Sequence, residues 1–91
     1  MKNTVERYIL AVIWYIVHWN DSHENKKDFY YTANRIGQLE EDLVAYGVSE
    51  TTLTALQEKA KEIIKTPLDK FPKDIQKKIT RVIFGGLTKW G

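Results

Sequence analysis

The stretch "YILAVIWYIVHW", from Tyr8 to Trp19, constrains the fold most strongly, because none of its residues is Lys, Arg, Asp or Glu. A membrane span needs about 20 consecutive apolar residues, so this shorter run is typical of a buried helix instead. A helix that is apolar on every face has to be surrounded by other groups. The rest of a 91-residue chain can barely surround it. We therefore expect part of its surface to meet a second copy of the chain.

Apolar residues recur at helical spacing along nearly the whole chain, and no segment shows the alternation of a β-hairpin. The spacing predicts helices from about Thr4 to Trp19, Glu24 to Tyr46, Glu50 to Lys65 and Lys73 to Thr88. Two prolines, Pro67 and Pro72, interrupt the connection before the last helix. The predicted fold class is all-α: a small, four-helix, largely antiparallel bundle, with residues 1–91 forming a single helical domain.

Gly37 lies in the middle of the second predicted helix, beside Ala33 at helical spacing. A glycine in a helix interior costs about 1 kcal/mol relative to alanine. We expect this glycine to permit the close approach of another helix backbone.

The segment "VAYGVSETTLTALQEKAKEII", residues 44–64, contains a sharp boundary between two predicted helices. Gly47, Val48 and Ser49, followed by Thr52 and Leu53, resemble the turn and the start of the recognition helix in helix-turn-helix proteins. The resemblance implies DNA binding and covers about 20 residues of this chain. Four residues before the glycine, where that motif packs a small residue, this chain has a leucine.

An ordinary corner explains the same residues. Gly47 would close one helix in the left-handed conformation, Val48 would make the apolar contact of that closure, and Ser49 would cap the next helix. A recognition helix here would present Glu50 and Glu58 and no cation in its first two turns. Because phosphate contacts dominate affinity for DNA, the charges favour the corner.

Charge is distributed unevenly along the chain. Residues 1–56 carry 5 Lys and Arg against 8 Asp and Glu, a net −3, whereas residues 57–91 carry 9 against 4, a net +5. The last predicted helix has a polar side on which basic residues recur every four positions. We predict a partner-binding surface there, made of Lys70, Lys73, Lys77, Lys78, Arg81, Lys89 and Trp90. Its partner is a protein, a nucleic acid or an anionic membrane surface, and the alternative is a merely solvated helix side.

The aromatic residues are concentrated in the first half of the chain: eight of the eleven fall within residues 8–46. They exceed what one side of each of the first two helices can bury, and large aromatic side chains are enriched at protein interfaces. We predict a self-association surface made of Trp14, Tyr15, Trp19, Tyr30 and Tyr31. An oversized core is the competing interpretation.

The sequence pattern indicates no catalytic, metal-binding or cofactor-binding site. There is no cysteine, and the ligand-type residues of "HWNDSHE" match no standard metal-site spacing. No nucleophile has an evident base and orienting partner, and no glycine-rich phosphate loop follows a strand. We predict no enzyme activity, no metal, no cofactor and no small-molecule substrate.

In size and class the chain resembles the small helical accessory proteins of phages and mobile elements, including anti-defence inhibitors and bacteriocin immunity proteins. That resemblance implies a cytoplasmic inhibitor or adaptor that binds a protein partner, here as a homo-oligomer. No motif is shared, so no residue role is carried over. A DNA-binding protein and a peripheral membrane-surface binder are the alternatives.

Overall fold

The structure of the protein, a computed structural model, describes residues 2–19 and 26–85. Within these ranges the chain contains helices and no strand, so the all-α prediction is confirmed, and the four α-helices form a bundle. The elements are α1 (Lys2–Val17), α2 (Lys26–Ala45), α3 (Glu50–Lys65), a 3₁₀ turn (Leu68–Lys70) and α4 (Lys73–Gly85).

The uncharged run of the sequence forms the centre of the fold, because α2, α3 and α4 all pack on α1. Five of its side chains are buried, namely Tyr8 and those from Ala11 to Trp14. The main core joins the first four of these five side chains to leucines of α2 and α3 and to Ala60 of α3. Trp14 packs instead against Val82 of α4 in a second, smaller cluster. Burying each large apolar side chain contributes about 1.5–3 kcal/mol, so this helix organises most of the stability.

Helix boundaries differ from the sequence prediction mainly at the ends of α1. The helix begins at Lys2 rather than Thr4 and ends at Val17, leaving Trp19 just beyond it with its N–H donating to the Ile16 carbonyl at 3.3 Å. For α3 the predicted and observed bounds coincide. The predicted start of the second helix at Glu24 and the predicted end of the last helix at Thr88 lie outside the described residues.

The corner between α2 and α3 has the geometry that the sequence predicted. Gly47 adopts φ +96°. The Gly47 N–H donates to the Val44 carbonyl at 2.9 Å and the Val48 N–H to the Leu43 carbonyl at 3.0 Å, the paired bonds of a glycine-closed helix end. The Ser49 hydroxyl accepts from the Thr52 N–H at 3.2 Å and so caps α3.

The expectation for Gly37 is wrong within this chain. A Cβ built on Gly37 would meet nothing within 4 Å, so no neighbouring helix of the described residues approaches it closely. The backbone freedom of glycine is not needed there either, since Gly37 has an ordinary helical conformation.

Candidate functional site

Stacked aromatic rings join the end of α1 to the start of α2. The rings of Tyr15 and Phe29 stack with centroids 4.5 Å apart and an interplanar angle of 27°. The Trp19 ring is tilted against both, at 5.6 Å from Tyr15 and 5.7 Å from Phe29. Tilted arrangements are favoured for aromatic pairs, so the cluster fixes the position of the exposed Trp19 ring.

Three aromatic side chains at this end remain open to solvent. Trp19 and Tyr30 are each 59% exposed, and Tyr31 is 54% exposed. Tyr15 and Phe29 are half-buried and support the Trp19 ring. We call Trp19, Tyr30 and Tyr31 the aromatic surface. It contains three of the five residues predicted for self-association.

Trp14 is a correction to that prediction. Its side chain is only 2% exposed, with Val82 packed against it and its ring 4.5 Å from that of His18. A side of a helix that one neighbour covers cannot face a second molecule, and α4 covers the side of α1 that carries Trp14. Trp14 is therefore a core residue and is not available to a second molecule.

The basic residues of α4 and of the 3₁₀ turn lie on the surface, where the sequence placed them. Lys73, Lys77 and Arg81 line one shallow, open depression of about 480 Å³ on α4. Within the described residues, none of the three forms an ion pair. Lys70, on the turn before α4, is also exposed. We call these four residues the basic surface; Lys89 and Trp90 lie outside the described residues.

Lys78 differs from its neighbours on α4. Its Nζ lies 2.6 Å from the Glu6 Oε1 of α1, with both side chains less than half exposed. This ion pair fastens α4 to α1 and holds Lys78 on the opposite flank from the depression. Lys78 therefore acts first as a contact between helices.

A polar junction between three helices was missed by the sequence analysis. The Tyr8 hydroxyl donates to the Glu40 Oε2 at 2.8 Å and accepts from the Gln57 Nε2 at 2.9 Å. The Gln57 Nε2 is also 3.5 Å from the Glu40 Oε2. The signal in the sequence was the phenol itself, since a buried tyrosine hydroxyl needs a partner. Glu40 is the first of three consecutive acidic residues, which would ordinarily be solvated, and the structure shows it half-buried and bonded.

The junction changes the acidity of its tyrosine. Burial, followed by the hydrogen bond and negative charge of Glu40, raises the pKa of Tyr8 to about 12, while the hydrogen bond from Gln57 lowers it. The phenol is therefore neutral throughout the physiological range and serves as a structural donor. A group with that pKa is unsuited to general acid–base work near neutral pH.

Two apolar grooves flank α3. One, of about 350 Å³, lies between α2 and α3 above α1; Tyr15 and Ile16 are in its floor, and Ala33 is in its wall. The other, of about 270 Å³, lies between α3 and α4 and has the Lys78–Glu6 pair at its rim. The second is lined chiefly by aliphatic side chains, and the first by aliphatic residues together with two tyrosines, Gln57 and Lys61. They offer shape and apolar surface and no cluster of reactive groups.

The remaining predicted features concern metals, DNA and membranes. Among the described residues no three His, Asp or Glu side chains lie close enough to share a metal ion; of "HWNDSHE", residues 20–24 lie outside them. At the start of α3 the exposed charges are Glu50 and Glu58, the latter paired with Lys61 at 3.2 Å. No helix in the described part of the chain is both long and apolar enough to cross a membrane.

Taken together, the geometry offers two exposed surfaces of different chemistry on a helical support. The aromatic surface lies at the end of α1 and the start of α2, and the basic surface lies on α4 and the turn before it. Neither holds a reactive constellation. Comparison of the chain with protein-family models, with curated proteins and with solved structures gave no match.

Proposed function

We propose that this chain is a non-catalytic binding protein of the cytoplasm that forms a homo-oligomer and acts as an inhibitor or adaptor on a protein partner. The observation that carries the proposal is the aromatic surface: Trp19 and Tyr30 are each 59% exposed and Tyr31 is 54% exposed. Single exposed apolar residues need no explanation, but three large aromatic side chains exposed where α1 ends and α2 begins supply the residue type that dominates binding at interfaces.

The support beneath the aromatic surface favours binding over simple excess core. Because Tyr15 and Phe29 stack 4.5 Å apart, Trp19 rests on a fixed base. Fixed aromatic side chains lose little conformational entropy on association and bury a large area, which is why they dominate binding energy at interfaces. In this proposal the helices form a largely antiparallel bundle, since Tyr8 reaches Glu40 while Tyr15 reaches Phe29.

Light scattering of the purified chain over a range of concentrations tests self-association. We expect the mass to rise from one chain toward two, and Tyr30→Ala to shift the transition to higher concentration by at least about tenfold, which is 1.4 kcal/mol. Tyr46→Ala is the matched control, because Tyr46 is an equally exposed tyrosine (61%) at the other end of α2. Equal effects of the two variants would contradict the role of the aromatic surface.

A second candidate function is the binding of a polyanion through the basic surface. The observation that favours it is that Lys73, Lys77 and Arg81 line one depression and have no ion-pair partner among the described residues. Surface cations that neutralise phosphates give an affinity that falls steeply with salt, by about 0.9 in the logarithmic slope for each phosphate of duplex DNA.

Titration with duplex DNA at several salt concentrations tests this second candidate. Lys77→Glu together with Arg81→Glu should abolish binding, and Thr51→Ala should leave it unchanged if α4 rather than the start of α3 makes the contact. The reverse pattern would favour the helix-turn-helix resemblance. Co-sedimentation with anionic vesicles, lost on Trp90→Ala, would point to a membrane surface instead.

A further inference from the structure

One face of α2 is left uncovered by the rest of the described chain. Tyr30, Ala33, Gly37 and Val44 recur at helical spacing and so lie along one side of the helix. Tyr30 is 59% exposed and Val44 54% exposed, and a Cβ on Gly37 would meet nothing within 4 Å. Large apolar side chains at both ends of this face, which we call the α2 face, are therefore open to a partner.

The α2 face is complementary to itself. Tyr30 lies seven residues before Gly37 and Val44 seven residues after it, each about 10 Å along the helix axis. If two copies of α2 cross at Gly37 in opposite directions, Tyr30 of each copy packs on Val44 of the other. That is the isologous arrangement of a two-fold dimer, in which each contact occurs twice.

The charges of α2 favour the same arrangement. The charged residues beside the start of the α2 face are Lys26 and Lys27. Beside the end of the face lies the exposed Glu41, whereas Glu40 is bonded to Tyr8 and Gln57 of its own chain. An antiparallel pair sets the positive end of each face beside the negative end of the other, whereas a parallel pair would set like charges together.

From this complementarity we propose that a second copy of the chain occupies the α2 face, with the two α2 helices paired antiparallel about Gly37. The proposal deepens the proposed function and rests on it, because it names how the homo-oligomer forms. It also gives Gly37 a role that nothing within one chain supplies: two helices without a Cβ at their crossing point approach closely.

A charge at the crossing point tests the pairing. Gly37→Arg puts two like charges at the two-fold axis and should weaken association at least about tenfold by sedimentation equilibrium, or 1.4 kcal/mol. Within one chain the new side chain enters open space, so circular dichroism should show full helicity. Gln38→Arg, one residue along on exposed surface pointing elsewhere, is the matched control and should associate as the native chain does.

Cysteine cross-linking tests the direction of the pair, because the chain has no cysteine of its own. Under mild oxidation, Tyr30→Cys mixed with Val44→Cys should give disulfide-linked dimers, and Tyr30→Cys alone should not. Cross-linking of Tyr30→Cys with itself would mean a parallel pair and overturn the proposal.

The outcomes separate this inference from the function on which it rests. A native dimer that is weakened by Tyr30→Ala but not by Gly37→Arg would overturn the α2 pairing and leave self-association through the aromatic surface intact. A native chain that stays monomeric would overturn both.

Discussion

The two halves of the uncharged run in α1 have similar composition and opposite environments. From Tyr8 to Trp14 the side chains are mostly buried, enclosed by α2, α3 and α4. From Tyr15 to Trp19 they are half-buried or exposed, and Trp19 is 59% exposed. The difference is one of coverage: three helices enclose the first half, whereas in the second half Ile16 and Val17 reach the main core only in part and the rings of Tyr15 and Trp19 stack on the start of α2.

This contrast limits the expectation that the uncharged helix is too large for its own chain to cover. An apolar helix in a small chain does need to be surrounded, but its own neighbours surround the first half adequately. The surface of α1 that its own neighbours leave open lies in the second half, where Trp19 is mostly exposed.

The largest expected effect is at Trp14. Trp14→Ala should lower the free energy of unfolding by about 3–5 kcal/mol, because it empties a buried site against Val82. Trp19→Ala should cost less than about 1 kcal/mol in the monomer, because its side chain is mostly exposed. Urea unfolding at low protein concentration measures both. Equal losses would erase the contrast between the two halves.

The next effect is at the polar junction. Tyr8→Phe removes the hydrogen bond to Glu40 and should cost about 1–2 kcal/mol at neutral pH. The pKa of Tyr8 is raised from 10.0 to about 12, so the stability that its neutral form contributes is complete below pH 10 and is lost as the pH rises toward 12. That loss amounts to at most ~3 kcal/mol for a shift of this size.

Unfolding measured from pH 8 to 12 checks the assignment. The native chain should lose more stability above pH 10 than Tyr8→Phe does, and the difference between the two curves isolates this one phenol from the other tyrosines and the lysines. Parallel curves would show that the Tyr8 hydroxyl is not held as the structure has it.

Alanine in place of Gly47, in the α2–α3 corner, and alanine in place of Gly37, inside α2, should change the free energy of unfolding in opposite directions. Gly47→Ala should destabilise the chain by about 1–2 kcal/mol, because Gly47 has φ +96°. Gly37→Ala should stabilise it by about 1 kcal/mol, because the added methyl group meets nothing within 4 Å and alanine favours the helix. Thermal unfolding distinguishes them, and a loss at Gly37 in the monomer would mean that a neighbour does approach it.

The smallest effect is at the surface ion pair. Lys78→Ala should cost no more than about 1 kcal/mol, since both charges of the Lys78–Glu6 pair are partly solvated. The cost should shrink further in high salt. Lys77→Ala is the control without an ion-pair partner and should change stability less; a larger effect at Lys77 would contradict the different assignments of the two lysines.

The sequence predicted the helices and the α2–α3 corner well because both are local. Periodic apolar positions determine which face of a helix is buried, and Gly47, Val48 and Ser49 carry the closing and capping interactions within a few residues. The bounds of α3 could be read directly, since Ser49 caps its start and Thr66 follows its end.

What the sequence could not supply depends on contacts between distant residues. Tyr8 and Glu40 are 32 positions apart, and Lys78 and Glu6 are 72 apart, so no local pattern predicts either contact. Trp14 was misplaced for the same reason, because periodicity alone does not say which side of an all-apolar helix meets α4. Of the aromatic residues predicted for self-association, the sequence could not tell the exposed Trp19, Tyr30 and Tyr31 from the buried Trp14.

Sedimentation equilibrium of the native chain at concentrations up to the order of 100 μM, where an association of about 5.5 kcal/mol is half-complete, tests the central claim most directly. Exposed rings at the end of α1 and along α2 predict a mass that approaches two chains and falls back to one in Tyr30→Ala. A mass of one chain throughout that range would show that the uncovered rings need no second molecule, and self-association would have to be abandoned.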